Sequence, residues 1–348
     1  MKKLSKLAAL LLSAAMVLAL AACSGGDANA TPTPAADATP TPAAEGDPTE
    51  APSTGESYTV GIIQQMQHVA LDSATEGFRD ALTDLLGDQV EFQYQNASGD
   101  TANCSTIAGS FVASSVDLIM ANGTTALQAA VAATGDIPIL GTSITEYGVA
   151  LGIDGFSGTT GINVSGTSDL APLDQQAAMI QEWFPEAQTV GLLYCSAEPN
   201  SQYQVDTVQS YLEAAGITCT QYSFSDSNDL SAVATTACSS SDVVYIPTDN
   251  TCANNAELIG NISLDTGTPI IAGEEGICSG CGVATLTISY YDIGYATGEM
   301  AYEILVNGAD PAAMAIEYAP QFTPKYNAAM CDALGLTPLE GYEAIATE

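Results

Sequence analysis

The chain has 348 residues, with 41 Asp plus Glu against 5 Lys plus Arg and a single His. Three of the five cations, Lys2, Lys3 and Lys6, stand at the amino end, so residues 23–348 carry a formal charge of 2 − 41 = −39. So acidic a chain repels nucleic acid and phosphate-rich partners, and with one histidine no Ser-His-Asp, Cys-His or multi-histidine metal centre can be built without it.

The amino end reads as an address. A basic start, an apolar run over Leu7 to Leu20 and the small-residue stretch Leu20-Ala21-Ala22-Cys23 resemble a bacterial lipoprotein signal peptide. The apolar run is short for a membrane span, which takes about 20 residues. The resemblance implies removal of residues 1–22, lipidation of Cys23 with diacylglycerol and palmitate-like acyl chains, and a stable anchor on the extracytoplasmic face of the cell membrane. Residues 23–57 then contain two Ala-Thr-Pro-Thr-Pro-Ala-Ala repeats, at Ala30 to Ala36 and Ala38 to Ala44, and almost no large apolar residue. Such chain is extended at about 3.1 Å per residue and builds no core, so it reads as a tether.

From Tyr58 the pattern changes. Tyr58 to Ile63 reads as a buried strand, and Leu71 to Leu86 as a helix with Leu71, Ala74, Phe78, Leu82 and Leu85 on one face. The alternation continues with strands at Val90 to Tyr94, Val116 to Ala121 and Ile137 to Leu140, and helices at Cys104 to Ala113 and Thr125 to Ala133. The segment Gly161 to Asp169 carries alternating residues into a turn-rich polar cluster, and there the chain is expected to change lobes. Helices at Leu173 to Trp183, Tyr203 to Ala215, Asp229 to Ala237 and Ala253 to Leu264 alternate with strands at Thr189 to Tyr194, Thr218 to Phe224, Asp242 to Ile246 and Pro269 to Ala272. Val283 to Ser289 is expected to lead back to the first lobe, with a helix at Ile293 to Val306 there and a last helix at Ala328 to Leu334 in the second.

Strands alternating with helices at this spacing predict parallel sheets with right-handed crossovers. The expected fold is α/β, two Rossmann-like lobes with parallel sheets joined by a hinge. Lobe 1 takes residues 58–167 plus about 288–318, and lobe 2 takes 168–287 plus about 319–348. Function belongs in the cleft between them, where the carboxyl ends of the strands face each other.

Those ends are rich in small polar residues: Gln65 and His68, Gly123-Thr124-Thr125, Thr142-Ser143, Asp169, Glu198 and Asn200, Asp249, and Glu274-Glu275. Hydroxyl and amide side chains there cap helices, and a helix amino terminus with a neighbouring hydroxyl also receives anions. With Arg79 and Lys325 the only cations beyond Cys23, a single carboxylate suits the cleft better than phosphate. An acid facing it, Glu275, Glu274 or Asp249, would take an ammonium, and together these describe an α-amino acid. Tyr147, Tyr194, Tyr290, Tyr291 and His68 are candidate walls for its side chain. No Walker or dinucleotide glycine loop is present, no cofactor is implied, and nothing supports an enzyme.

Eight cysteines follow Cys23: Cys104, Cys195, Cys219, Cys238, Cys252, Cys278, Cys281 and Cys331. An even number in an exported chain favours disulfides, and Cys278-Ser-Gly-Cys281 is spaced to close a small loop.

Gly61-Ile-Ile-Gln64, His68 to Asp72, Tyr94-Gln-Asn96, Ser165 to Asp169, Pro247 to Asn250, Glu274-Glu-Gly276 and Tyr290 to Gly294 resemble the substrate-binding lipoproteins of ABC importers with a type I periplasmic-binding fold. The closest resemblance is to the branch that binds aromatic amino acids, tyrosine or tryptophan. It implies a monomer that closes on its ligand and delivers it to membrane permease subunits. In amino-acid binders of this fold, Ser or Thr after the third and fourth strands hold the carboxylate, matching Thr124, Thr125, Thr142 and Ser143. An acid before glycine late in the second lobe holds the ammonium, matching Glu275. A sugar or nucleoside ligand, or a surface lipoprotein acting in adhesion or sensing, stays open on the sequence alone.

Overall fold

The computed structural model describes residues 55–346. The signal peptide, Cys23 and nearly all of the tether lie outside them. No helix among the described residues is long and apolar enough to cross a membrane.

Nine elements come first: β1 (Tyr58–Gln64), α1 (Val69–Leu86), β2 (Val90–Asn96), α2 (Thr101–Ser114), β3 (Leu118–Asn122), α3 (Thr124–Ala133), β4 (Ile139–Thr142), α4 (Tyr147–Leu151) and β5 (Val164–Ser168). Their strands pair in parallel in the order β5-β4-β3-β1-β2. β1 and β3 lie inside the sheet with both faces covered, which is why they read as unbroken apolar runs, whereas β2 at the edge is half exposed.

The second lobe runs through α5 (Leu173–Trp183), β6 (Thr189–Cys195), α6 (Pro199–Ala214), β7 (Thr218–Phe224), α7 (Ser227–Ser240), β8 (Val243–Ile246), α8 (Asn250–Asn254), α9 (Ala256–Thr266), β9 (Ile270–Ala272), α10 (Glu275–Gly280) and β10 (Ala284–Thr287). The chain then returns to lobe 1 with α11 (Tyr290–Leu305) and β11 (Glu317–Tyr318), which pairs with β5. It ends in lobe 2 with β12 (Thr323–Tyr326), α12 (Ala328–Leu334) and β13 (Glu343–Ala344). The second sheet has the order β13-β12-β10-β9-β8-β6-β7, parallel except where β12 meets β10. Three strand-to-element passages therefore join the lobes: after β5, after β10 and after β11.

The return of α11 is fixed by close packing on α1. A Cβ on Gly77 would stand 2.1 Å from the Tyr291 carbonyl oxygen, and one on Gly294 would stand 2.0 Å from that of Ala74. Only hydrogen at these positions lets the two backbones come so near, so any larger residue must push α11 off lobe 1.

The expected disulfides are not formed. All eight cysteines from Cys104 to Cys331 are free, and all but Cys219 are buried. Cys252, Cys278 and Cys281 pack with Cys238 inside the apolar cluster between β8, β9 and α9, where they act as small hydrophobes. Cys278 lies on α10 and Cys281 is its C-cap residue, whose thiol donates to the Ile277 carbonyl. Burial pushes the thiols of Cys104, Cys195, Cys219, Cys238 and Cys331 up to about 11, which keeps them protonated and slow to oxidise.

Candidate functional site

The carboxyl ends of the two sheets meet across the cleft. Gln65 and Thr125 from lobe 1 line the same crevice, of about 210 Å³, as Glu198 and Thr251 from lobe 2. A direct bond also crosses, from His68 at the start of α1 to Asn250 at the start of α8, at 3.0 Å.

Most of the polar side chains at these ends are already engaged within their own lobe. The Gln65 carbonyl oxygen caps α3 by accepting from Thr125 N–H at 2.8 Å, a role that Gly123 cannot fill because it has no side chain. The Thr142 hydroxyl lies 3.1 Å from that of Thr167, which lies 2.8 Å from that of Thr297, which donates to the Ile293 carbonyl. Thr142 thus belongs to a hydroxyl chain tying β4 and β5 to α11. In lobe 2 Glu198 accepts four bonds: Asn250 N–H (3.0 Å) and Nδ2 (2.7 Å) on one oxygen, Thr251 N–H (2.9 Å) and Oγ1 (2.8 Å) on the other. Asp249 accepts from Cys195 N–H and Cys252 N–H. Burial first, and then the Glu198 charge, push the Asp249 carboxyl up to about 7. Glu274 caps α10 through Gly276 and Ile277 N–H, and burial pushes it up to about 7 as well.

Glu275, the residue that the resemblance assigns to the ammonium, has another partner. It forms an ion pair with Lys325 Nζ at 2.7 Å, in a partly exposed crevice of about 780 Å³ that Val69, Ala70 and Tyr290 also line. Three of the candidate tyrosines are likewise elsewhere: Tyr147 donates to the Gly141 and Thr167 carbonyls in the core, Tyr194 meets Gln202 and Gln221 in lobe 2, and Tyr291 bonds Asp80 on the exposed flank of α1 and α11.

Among the sequence candidates, Ser143 Oγ, Asp169 Oδ1 and Asn200 Oδ1, like His68 Nδ1, are buried polar atoms that no protein group meets. The first three sit just past a strand, Ser143 after β4, Asp169 after β5 and Asn200 after β6. Ser143 adopts φ 55°, a left-handed turn that leads directly into Ile144, whose carbonyl accepts from Asp169 N–H. Tyr290 reaches from the start of α11 to donate to Asp169 Oδ2 at 3.1 Å, leaving Oδ1 open. In lobe 2 the Thr248 carbonyl accepts from Asn200 Nδ2 at 3.1 Å. Ser143, Asp169 and Tyr290 thus meet on the lobe 1 side, and Asn200 stands past a strand end of lobe 2. Burial raises the Asp169 carboxyl to about 6. A buried polar atom without a partner costs about 1–3 kcal/mol, so such atoms at the strand ends suit a polar ligand with matching groups. Thr124, buried at the first position of α3, borders the same turn.

The sequence named Ser143, Asp169 and Asn200 among the candidates but offered Glu275, Glu274 or Asp249, and not Asp169, for the cation. It missed the part played by Asn250, which no spacing in a single sequence signals. Among the described residues no group of three or more His, Cys, Asp and Glu is arranged to hold a metal ion.

Residues 59–348 match the family model described as ABC transporter substrate binding protein. A tyrosine-binding protein of Clostridioides difficile is 35% identical over 249 residues, 71% of this chain and 72% of that one. Among solved structures, an ABC domain from Streptococcus pneumoniae in complex with L-Trp superposes with a TM-score of 0.79 at 29% identity, covering 83% of this chain and all of the other. The ligand-free, open structure of a C. difficile substrate-binding protein with adhesive properties gives 0.64 at 33% identity, covering 84% of this chain and all of the other. The relative with more residues in common superposes less well, and it is the open one.

Proposed function

The chain belongs to the family of ABC transporter substrate binding proteins, and on that premise we propose that it captures one free aromatic α-amino acid, tyrosine or tryptophan, by closing its lobes, and delivers it to an ABC permease. It is a binder and not an enzyme. The observation that supports the ligand class is the set of unpartnered groups at the strand ends, Ser143 Oγ, Asp169 Oδ1 and Asn200 Oδ1. Asp169 Oδ1 accepts from the ammonium, Ser143 Oγ and the amino end of α3 at Thr124 donate to the carboxylate, and Asn200 meets a polar atom of the side chain. The aromatic class rests on the tyrosine-binding and L-Trp-bound relatives. Lipid anchoring through Cys23, an extracytoplasmic position and a monomeric state complete the proposal, supported by the amino-terminal sequence and the family.

Hinge closure follows from ligand contact with both lobes, since a ligand shifts the equilibrium by its differential affinity for the two states. The test is thermal denaturation of the purified protein against the 20 amino acids, sugars and nucleosides. Binding at a thousandfold excess over Kd contributes about 4 kcal/mol, or roughly 8 °C in Tm. L-tyrosine or L-tryptophan is expected to produce that shift. A shift with a sugar or nucleoside and none with any amino acid overturns the ligand assignment. Adhesion is the second reading, favoured by the one relative described as having adhesive properties.

A further inference from the structure

His68 occupies the N-cap position of α1, yet its side chain makes no bond to its own helix. It reaches across the cleft instead. Its Nε2 lies 3.0 Å from Asn250 Oδ1 in lobe 2. The Asn250 amide is not free to turn: its Nδ2 donates to Glu198 Oε2 at 2.7 Å while its own N–H donates to the same oxygen. A carboxylate only accepts, so the amide must present Oδ1 to lobe 1, and His68 Nε2 must carry the proton. Glu198 is itself held by Thr251 N–H and Oγ1, so the acceptor stands on a preformed base.

We propose that His68, Asn250 and Glu198 form an interlobe latch that slows ligand release, with His68 Nε2–H donating across the cleft to Asn250 Oδ1 and Glu198 acting as the positioning residue that fixes the Asn250 amide. The latch rests on the hinge-closing reading above and adds a direct lobe-to-lobe bond to the contacts a ligand makes. The bond exists only when the lobes are together, so it acts on departure from the closed state and leaves encounter with the open state untouched. The carboxylate behind the amide polarises it and strengthens the acceptor. Glu198 and Asp72 are the charged groups facing the imidazole, and both favour its cationic form, but burial outweighs them and holds the pKa below the ordinary 6.5. The neutral Nε2–H imidazole of the closed state leaves Nδ1 buried and without a partner.

The chain has one histidine, so a single imidazole signal in NMR reports the latch without assignment. In wild-type protein that signal is expected in the Nε2–H form, titrating below its ordinary value. In Asn250→Ala, which removes a bond that favours the cationic form, it is expected to titrate lower still, with and without added L-tyrosine. With L-tyrosine as probe, His68→Ala and Asn250→Ala are each expected to speed release about tenfold, equal to about 1.4 kcal/mol, with association within twofold. The double variant is expected to be no faster than either single one, because both remove the same bond. His68→Gln, which keeps an N–H near the Nε2 position, is expected to restore slow release. Multiplying effects in the double variant, or an imidazole that titrates alike in wild type and Asn250→Ala, overturns the latch. If L-tyrosine fails to bind while the imidazole still responds to Asn250→Ala, the ligand assignment falls and the latch stands.

Discussion

The two lobes bring the same kind of residue to the cleft and use it differently. In lobe 2 the acids at the strand ends, Glu198, Asp249 and Glu274, have both oxygens bound by backbone N–H groups or side chains of the same lobe. On the lobe 1 side, Ser143 and Asp169 keep a buried polar atom open. Composition cannot separate these roles, since all are small or acidic residues after a strand. The difference is in local partners: Asp249 and Glu274, one residue before a helix, cap it, and Glu198, one residue before α6, does not cap it but is held by Asn250 and Thr251, whereas Asp169 is followed by Leu170-Ala171-Pro172 before α5 starts at Leu173 and keeps one oxygen open.

Asp169→Asn sharpens this contrast most. Removing the charge that faces the ammonium while keeping Tyr290 nearby is expected to weaken L-tyrosine binding about thousandfold, or about 4 kcal/mol, read by isothermal titration. The variant should fold, because the Asp169 carboxyl is already disfavoured as an anion by burial. Its folded pKa of about 6 is raised above the ordinary 3.8. Its contribution to ligand-free stability is therefore present below about 3.8 and is lost as pH rises through about 6. Ligand affinity runs the other way, falling as pH drops below about 6, because the ammonium needs the carboxylate. Asp169→Asn is expected to abolish that slope, and an unchanged slope would assign the ammonium elsewhere.

Glu198→Ala probes the other side. It leaves two N–H groups, one amide and one hydroxyl without their acceptor, while relieving the like charge that Asp249 feels. Four lost bonds to a carboxylate outweigh one relieved repulsion. The expected net loss is about 3 kcal/mol, a fall of roughly 6 °C in Tm. A Tm within about 1 °C of wild type would mean that the loop of lobe 2 is not preformed.

How far the sequence could carry the reading follows from the same physics. The α/β architecture was legible because interior strands such as β1 and β3 are continuous apolar runs and α5 has both its ends marked, by Pro172 and by Phe184-Pro185. The short α10 was not, since Glu275 to Gly280 is less than two turns long and has no periodicity to detect. Nor was β12, which pairs antiparallel to β10 and carries Pro324 inside a strand. At the site, residue type and strand-end position were readable, and they named Ser143, Asp169 and Asn200. Which oxygens stay open was not, because the engaging groups come from far along the chain, as with Asn250 and Glu198 at a separation of 52 residues. The cysteines misled for a related reason: parity speaks to compartment, and burial in an apolar cluster decides pairing.

The smallest expected effect separates the site from its neighbourhood. Glu275 pairs with Lys325 at 2.7 Å, with the two side chains 31% and 26% exposed respectively. An ion pair in contact with water contributes about 0–1 kcal/mol to stability. Its oxygen is held by a cation of the same lobe, so a ligand ammonium would have to displace Lys325 to reach it. Glu275→Ala is therefore expected to leave L-tyrosine affinity within about twofold of wild type and to lower Tm by about 2 °C at most, with the loss shrinking as salt is raised. A hundredfold loss of affinity would restore Glu275 as the ammonium acceptor and return Asp169 to a structural role held by Tyr290. The two carboxylates thus make opposite forecasts, and one titration on each variant decides between them.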